Sequence, residues 1–375
     1  MRGPAVQAIV IAAGGTGGHF FPAEALAAEL IARGHRIVLM TDARSGGLSS
    51  AVFAGREQYV LRGAGIAGRG VWRGAKAIVS LGAGVAQARG ILAGLNVGCI
   101  VGFGGYPTVA PVLAARLLTR RPAVILHEQN AVLGRANRFL ARWADTLALS
   151  FAATENRPML PTEVTGNPVR PAIAALAEVA YAAPTDRIEV LVLGGSLGAR
   201  VFSDVVPDAL RFLPDALRHR VRVVQQARRE DLDRVRAAYA AAGITADLAP
   251  FFPDVADRLR AAHVVIARAG ASTVAELAVA GRPAVLVPLP GAIDDHQTAN
   301  ARALAAAGGA WLMPQPAFTA TALAERLTTI LSEPGALDAA AIAARGQARA
   351  DAAARLATLV ETRLPQSAQR PGDHA

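Results

Sequence analysis

The chain has 375 residues, of which 53% are hydrophobic and 18% are charged, and its mean hydropathy is +0.32. This composition excludes an intrinsically disordered chain, which needs low hydrophobicity and high charge, and the length predicts two or three domains with their own cores. The only cysteine, Cys99, excludes an internal disulfide and a metal cage built from thiolates, and it favours a cytoplasmic location.

The net charge of +10 is carried by the N-terminal half of the chain. Residues 1–170 contain 18 basic and 8 acidic side chains, whereas residues 171–375 contain 21 of each. This asymmetry predicts that the first half meets an anionic membrane surface or another anionic partner. A nucleic-acid partner is not expected, because only 5% of the residues are aromatic and the chain contains no recognised nucleic-acid-binding motif.

Short apolar runs alternate with helical patterns along most of the chain. The runs predict strands at residues 8–13, 36–41, 99–103, 123–128 and 146–150, and then at 188–195, 220–226, 263–270 and 284–290. Near-continuous apolar strands that alternate with helices are typical of parallel sheets covered on both faces. The pattern therefore predicts an α/β protein with two doubly wound Rossmann-like domains, whose parallel sheets face an inter-domain cleft.

The proline-bounded stretch at 165–171 separates the two sets of strands. We predict an N-terminal domain over 1–166 and a C-terminal domain over 167–339. A helix at about 340–362 is expected to pack back on the first domain, and the polar tail at 364–375 is expected to be disordered.

An uncharged stretch at 90–115 is long enough to cross a bilayer. It contains six glycines and two prolines, which fit a strand, a glycine turn and the start of a helix better than a membrane span. The apolar run near the N-terminus resembles a small signal peptide, but it is short and leads directly into a glycine turn. A first β-strand is the better interpretation.

Both halves begin with a strand that runs into a glycine-rich turn and then a helix. The turns are GGTGGHF at 14–20 and GGSLGAR at 194–200. Glycine lets the backbone approach a ligand, and the free N–H groups and dipole of a helix start attract an anion. Two such turns across a cleft predict a phosphorylated ligand, and because neither turn has the GK[ST] ending of a P-loop, an NTPase is not favoured.

The first glycine turn leaves two questions open. Asp42 ends the second strand at the distance of a ribose-binding acid, so a nicotinamide-binding oxidoreductase remains an alternative. His19 stands at a helix start, where it can act as a general base because its proton affinity lies near neutral pH. The alternative role is a histidine that only hydrogen-bonds the backbone there.

The segment at 263–313 carries the densest polar pattern. Small and hydroxyl residues at 271–273 begin a helix that carries Glu276 one turn later, which suits a diphosphate followed by a ribose. A helix cap and a first-turn acid would explain Ser272 and Glu276 separately, but not the cluster of acids and an amide at 294–297. The sequence has no metal-ligand spacing, so we expect neither a metal nor another cofactor.

Seven motifs, in this order, resemble the GT-B glycosyltransferases of family 28. They are GGTGGHFFPA, VGFGGYPTVAP, LHEQNAVLGRANR, TGNPVR, VLGGSLGAR, GASTVAE and DDHQTANA, and the resemblance covers residues 6–362. It implies inverting transfer of N-acetylglucosamine from UDP-N-acetylglucosamine to the C4 hydroxyl of the muramoyl sugar of lipid I, which gives lipid II for peptidoglycan synthesis. It also implies that the N-terminal domain faces the acceptor and the membrane and that the C-terminal domain binds the UDP-sugar. The enzyme would be peripheral on the cytoplasmic face of the membrane, with other cell-wall synthesis proteins as further partners.

The resemblance also implies the site residues. UDP-N-acetylglucosamine would contact Thr16, Gly17, Gly18, Asn130, Arg170, Ser196, Phe252, Ala271, Ser272, Thr273, Val274, Ala275, Glu276 and Gln297. Ser272 and Thr273 would lie near the diphosphate, Glu276 on the ribose and Gln297 on the sugar hydroxyls, while Phe252 would meet the uracil through its backbone. His19 is the first candidate for the catalytic base, and Glu128 is the second.

The membrane patch implied by the resemblance falls at 68–90. Trp72 would be an apolar anchor there, with Arg69, Arg73 and Lys76 as basic neighbours, although Trp72 could equally be a core residue. Basic side chains with a few apolar anchors give reversible binding to an anionic membrane surface. The remaining alternatives are a glycolipid synthase and a UDP-N-acetylglucosamine 2-epimerase, which differ in the acceptor and in the fate of the sugar.

Overall fold

The computed structural model describes residues 7–14, 17–43, 50–61, 71–195 and 198–365, with the backbone alone for residues 71–78. The first half contains strands β1 Ala8–Ala12, β2 Arg36–Asp42, β3 Gln58–Leu61, β4 Val97–Gly102, β5 Ala123–Glu128, β6 Thr146–Leu149 and β7 Thr162–Val164. The second half contains β8 Ile188–Leu193, β9 Val221–Gln226, β10 Thr245–Ala249, β11 Val264–Ala267, β12 Ala284–Leu286 and β13 Ala310–Leu312.

Helices connect these strands in both halves. The first half has α1 Gly17–Ala32, α2 Val71–Gly94, α3 Tyr106–Arg116 and α4 Arg135–Leu140, and α5 Pro171–Ala174 begins the second half. The second half has α6 Arg200–Arg211, α7 Asp215–Arg218, α8 Leu232–Ala241, α9 Val255–Ala261, α10 Ala271–Ala280, α11 His296–Ala306, α12 Ala320–Ser332, α13 Ala336–Gly346 and α14 Ala352–Arg363.

The two sheets have the same winding. The strand orders are β3-β2-β1-β4-β5-β6-β7 and β10-β9-β8-β11-β12-β13, and all the pairs are parallel. In each sheet the first strand is central, the chain winds outward, and it then reverses. Ligands of such sheets bind where the order reverses, outside the carboxyl ends of the strands. The prediction of two doubly wound domains is confirmed, and the reversal points lie between β1 and β4 and between β8 and β11.

The central strands are apolar throughout because both of their faces are covered. Ile9 and Ile11 of β1 pack with Phe20 and Leu26 of α1, whereas Val10 packs on the other face with Val112 of α3. The second sheet repeats this arrangement with two further apolar clusters, one on each face. Because successive side chains of a strand point to opposite faces, a run such as AIVIA can be buried only between two helical layers.

All nine predicted strands are present, but β3, β7, β10 and β13 were not predicted. They are the outer strands of their sheets, and they are short and incompletely buried; the three residues of β7 are all exposed. An outer strand packs against one neighbour only, so it has no need of a continuous apolar run. Their sequences therefore lack the signal that identifies the central strands.

The C-terminal segment forms two helices where the sequence predicts one over 340–362. Helix α13 packs on α10 in the second half, whereas α14 packs on α1 in the first half. Leu356 and Val360 of α14 join the apolar cluster around Phe20, and Glu361 accepts hydrogen bonds from both Arg33 and His35 at 2.8 Å. The break at 347–351 lets the chain cross between the halves a second time, the first crossing being at 165–170. Of the predicted tail, residues 366–375 lie outside the described residues.

The uncharged stretch at 90–115 is divided among the end of α2, the buried strand β4, a glycine turn and most of α3. Within the described ranges, no helix combines the length and the apolar character that crossing a membrane requires.

Candidate functional site

The carboxyl ends of the two sheets face each other across a cleft. The first turns of α1 and α10 are in contact there: the Ser272 hydroxyl lies 3.5 Å from the carbonyl oxygen of Gly18. Gly17 is buried beside Phe21 and Gly18 is exposed. Two helix N-termini that point into one space favour an anionic group between them. Thr16 and Ser196, both predicted here, lie outside the described residues.

The second glycine turn is held by an amide that the sequence did not point to. Gln226, at the end of β9, accepts the N–H of Gly194 at 3.1 Å and donates to the carbonyl oxygens of Gly195 at 3.0 Å and Pro250 at 3.2 Å. A side chain at Gly194 would lie 2.4 Å from the backbone nitrogen of Ala199, so only glycine fits. Gln226 therefore ties this turn to the loop after β10.

That loop carries Phe252, whose ring is buried beneath the guanidinium of Arg258, 4.7 Å from its centroid. Because the ring packs against Arg258 within the protein, the backbone of this loop is the part that can contact a nucleotide base. The neighbouring Phe251 is 67% exposed. This loop stands beside the glycine turn, as the hypothesis for a uracil pocket requires.

Helix α10 presents the other predicted donor-binding residues. Ala271 and Val274 are buried, whereas Ser272, Thr273, Ala275 and Glu276 are partly exposed. The carboxylate of Glu276 pairs with Arg170 at 3.2 Å, and Arg170 stacks on Phe21 at 5.1 Å.

Two opposing effects act on Glu276. Burial raises the pKa of its carboxyl above the usual range, and Arg170 opposes that effect. The structure thus brings Arg170 of the first crossing and Glu276 together, as a charged pair that can hold hydroxyl groups.

Helix α11 starts at the rim of the cleft. Gln297 accepts the N–H of Leu289 at 2.9 Å, which orients its amide beside the loop after β12. Asp294 and Asp295 both have left-handed backbone angles, with φ of 53° and 50°, an unfavourable region for residues other than glycine. The Asp294 carboxylate pairs across the rim with Arg135 at 3.0 Å and Arg138 at 3.2 Å. Hydrogen bonding from Arg135, foremost, lowers the pKa of Asp294.

A single buried amide joins the two halves beneath this rim. Asn300 of α11 is fully buried, accepts the N–H of Ala131 at 2.8 Å, and donates to Asn130 Oδ1 and to the carbonyl oxygen of Ala269, each at 3.1 Å. Asn130, a predicted donor-binding residue, is thus positioned by the opposite half. No local pattern signals the contact with Asn130, because that residue lies 170 positions before Asn300.

Glu128, the second candidate base, is surrounded by donors. Its carboxylate is 2% exposed; one oxygen accepts from the backbone and side-chain nitrogens of Asn130, and the other accepts from Gly134 N and Asn137 Nδ2. The four distances are 2.8–3.1 Å. A carboxylate that already accepts four hydrogen bonds must give some of them up to take a proton. This geometry favours a role in ordering the turn at 128–134.

His19, the first candidate base, is half-buried at the start of α1. Its Nδ1 lies 2.9 Å from Oε1 of Gln129, and its ring lies against the backbone of Gly104 and Gly105. Both glycines have positive φ, 81° and 70°, which favours glycine at these positions. Among the hydrogen bonds of the described residues, the Nε2 of His19 takes part in none.

The remaining predicted positions are less informative. Asp42 is fully buried at the end of β2, where it is not exposed to a dinucleotide ribose. The first turns of α2 contain Trp72, Arg73 and Lys76, and the side chains of these three residues are not among the described atoms. Arg69 lies outside the described residues. The described parts of the chain contain no group of three or more His, Cys, Asp or Glu residues placed to hold a metal ion.

Two family domains match this chain. Residues 9–149 match the glycosyltransferase family 28 N-terminal domain, and residues 189–356 match the glycosyltransferase family 28 C-terminal domain.

Relatives match over nearly the full length. One is the UDP-N-acetylglucosamine–N-acetylmuramyl-(pentapeptide) pyrophosphoryl-undecaprenol N-acetylglucosamine transferase of Granulibacter bethesdensis, 63% identical over 99% of this chain and 98% of its own. A protein of the same name from Acidiphilium cryptum is 55% identical, over 96% and 98%. The crystal structure of Acinetobacter baumannii MurG superposes with a TM-score of 0.77 at 32% identity, covering 95% of this chain and 99% of that one.

Proposed function

The chain belongs to glycosyltransferase family 28, and we propose that it transfers N-acetylglucosamine from UDP-N-acetylglucosamine to the C4 hydroxyl of the muramoyl sugar of lipid I. The products are lipid II and UDP. The observation that carries the proposal is the meeting of the α1 and α10 helix starts, with His19 on one side and the Arg170–Glu276 pair on the other. The names of relatives at 63% and 55% identity supply the acceptor.

The donor lies mainly on the second half in this proposal. Its diphosphate binds at the start of α10, beside Ser272 and Thr273, where the helix dipole and free N–H groups stabilise negative charge. Glu276 accepts the ribose hydroxyls, the loop at 250–252 meets the uracil, and Gln297 holds sugar hydroxyls. Asn300 and Asn130 keep the two walls of the cleft in register.

The reaction is a single displacement at the anomeric carbon. His19 Nε2 takes the proton of the acceptor C4 hydroxyl while that oxygen attacks, and the bond to the UDP oxygen breaks on the opposite side. The new glycosidic bond has inverted configuration, and the diphosphate leaves with the bonding electrons. Positive helix ends at the diphosphate stabilise the charge that develops on it.

Two assays separate this function from its alternatives. Purified protein should convert UDP-N-acetylglucosamine and lipid I to UDP and lipid II, with no transfer to diacylglycerol. Transfer to diacylglycerol would indicate a glycolipid synthase, and release of an epimerised sugar without acceptor would indicate a 2-epimerase. A dehydrogenase is not supported, because Asp42 is buried and the family domains are those of glycosyltransferases.

We also propose peripheral binding to the anionic cytoplasmic face of the membrane. In addition to the segment predicted at 68–90, one surface of the first half combines exposed apolar and basic groups. It comprises Leu117, 57% exposed, and Phe139, 40% exposed, with Arg89, Arg120 and Arg142. Arg89 bonds the Leu117 carbonyl at 3.3 Å, and Arg142 stacks on Phe139 at 5.2 Å. Contact with other cell-wall synthesis proteins stays a prediction from the resemblance.

The substitution Phe139→Asp should weaken binding to anionic vesicles about ten-fold, because it removes an apolar anchor and adds a repelled charge. Co-sedimentation with vesicles of anionic phospholipid, at low and high salt, measures this effect. Phe212→Asp is the matched control, since Phe212 is 49% exposed, also stacks with an arginine, and lies on the second half. Equal losses for the two variants would contradict the placement of the membrane face.

A further inference from the structure

A chain of three side chains links the candidate base to the first crossing between the halves. His19 Nδ1 lies 2.9 Å from Gln129 Oε1, and Gln129 Nε2 lies 3.0 Å from His127 Nδ1. His127 Nε2 in turn lies 3.0 Å from the carbonyl oxygen of Gly166. The resemblance assigns no role to Gln129, and sequence patterns alone did not single it out.

The carbonyl of Gly166 fixes the direction of the first bond. A carbonyl oxygen only accepts hydrogen bonds, so His127 Nε2 carries a proton and donates it. His127 is fully buried, and the cost of burying a charge lowers its pKa to about 4, with a smaller effect from His19. The ring is therefore neutral near physiological pH, and its Nδ1 holds a lone pair.

The amide of Gln129 then has only one orientation. Its Nε2 lies 3.1 Å from the carbonyl oxygen of His127 as well as 3.0 Å from His127 Nδ1, and both of these atoms accept. The nitrogen of the amide must face them, since an oxygen there would meet two acceptors. The amide oxygen of Gln129, which is 1% exposed, is thereby turned toward His19.

The last bond determines which nitrogen of His19 is basic. The Gln129 oxygen accepts, so His19 Nδ1 carries the proton and His19 Nε2 keeps the lone pair. We propose that Gln129 is a positioning residue that holds His19 in the Nδ1–H tautomer, with Nε2 directed to the acceptor hydroxyl. This inference rests on the proposed function, which assigns His19 its role as the base. The assignment of donor and acceptor in each hydrogen bond does not depend on the proposed function.

The residues that anchor this series of hydrogen bonds are closely packed. Gly166 has a φ of 84°, and a side chain at this position would lie 2.6 Å from the Cβ of Arg349 in the second crossing. Phe103 covers the His127 ring at 5.2 Å. Two further titratable residues lie beside the series: Glu128, whose oxygens are held by other donors, and Arg349, whose side-chain stem packs on Gly166. A tautomer set through such a buried series is pre-organised for proton transfer.

The tautomers can be measured directly on the unmodified protein. Nitrogen NMR with ring-labelled histidine, above neutral pH, distinguishes the two tautomers, and the His19→Ala and His127→Asn spectra assign the two signals among the seven histidines. The expected result is Nδ1–H for His19 and Nε2–H for His127. An Nε2–H signal for His19 would overturn the proposal, and this measurement needs no active variant.

Kinetics test the consequence. Gln129→Met should lower kcat about ten-fold or more, with donor KM nearly unchanged, because His19 then samples both tautomers. The same variant should show His19 as a mixture by NMR. The matched control is Gln225→Met, since Gln225 is another fully buried amide, bonded to Tyr239 in the second half.

The positioning role of Gln129 and the proposed function can fail separately. A Gln129→Met protein that keeps the His19 tautomer, or loses it with kcat unchanged, would overturn the positioning role. A parallel fall in kcat for Gln225→Met would show that loss of any buried amide suffices, which would also overturn it. Lack of lipid I transfer by the unmodified protein would instead contradict the proposed function and leave the NMR result to decide the hydrogen-bond order.

Discussion

Replacing His19 with alanine is expected to lower kcat about 10²- to 10⁴-fold, the usual contribution of a general base. The donor KM should change little, because His19 contacts the acceptor hydroxyl in the proposed reaction and not the nucleotide. Steady-state kinetics with UDP-N-acetylglucosamine and lipid I, each varied in turn, separates the two parameters.

His35→Ala is the matched control for this variant. His35 follows the end of α1 and bonds Glu361 at 2.8 Å, remote from the cleft. It should keep normal turnover, although it loses a contact between the turn after α1 and α14. Near-normal kcat for His19→Ala would remove His19 as the base, and Glu128→Gln would then become the decisive variant despite the four donors around that carboxylate.

Glu276→Ala is expected to raise the donor KM about 10- to 100-fold, since hydrogen bonds to a charged group contribute roughly 1.5–3 kcal/mol. The effect on kcat should be smaller, because the ribose keeps the same contacts in the ground state and the transition state. Isothermal titration with UDP, which lacks the sugar, checks that the loss lies in nucleotide binding.

Glu29→Ala provides the control for Glu276→Ala. Glu29 pairs with Arg33 at 2.8 Å on α1, just as Glu276 pairs with Arg170, but it lies away from the cleft. It should leave donor KM unchanged. An unaltered KM in Glu276→Ala would refute the ribose role and leave the carboxylate as a structural partner of Arg170.

The fold was largely predictable because a strand that is buried on both faces requires a continuous run of apolar residues. Strands such as β1 and β8 can be recognised without any knowledge of their neighbours, and the glycine turns that follow them indicate where a phosphate can approach. His19 and Glu276 are candidate site residues because each lies near a helix start, His19 after the first glycine turn and Glu276 in the second turn of α10. Their roles stay predictions. The outer strands could not be predicted, since one covered side requires no continuous apolar run.

The residues that were missed are amides whose roles depend on distant partners. Gln129, Gln226 and Asn300 each donate and accept at once, and each has a partner that is distant in the sequence. These partners are His19 for Gln129, Gly194 for Gln226 and Asn130 for Asn300. No local spacing encodes which end of an amide faces which atom, because the partner atoms of such amides are brought together only by the fold. The same holds for Asp294, whose left-handed backbone is matched to two arginines of the first half.

The return of α14 to the first half has a consequence for biosynthesis. The face of α1 that carries Phe20 is completed by Leu356 and Val360, which are translated after the entire second half. A nascent first half therefore exposes an apolar surface until α14 has emerged from the ribosome, whereas the second half can close earlier. We expect a fragment that ends before residue 352 to aggregate. We also expect chaperones to bind the apolar face of α1 during translation, until α14 covers it.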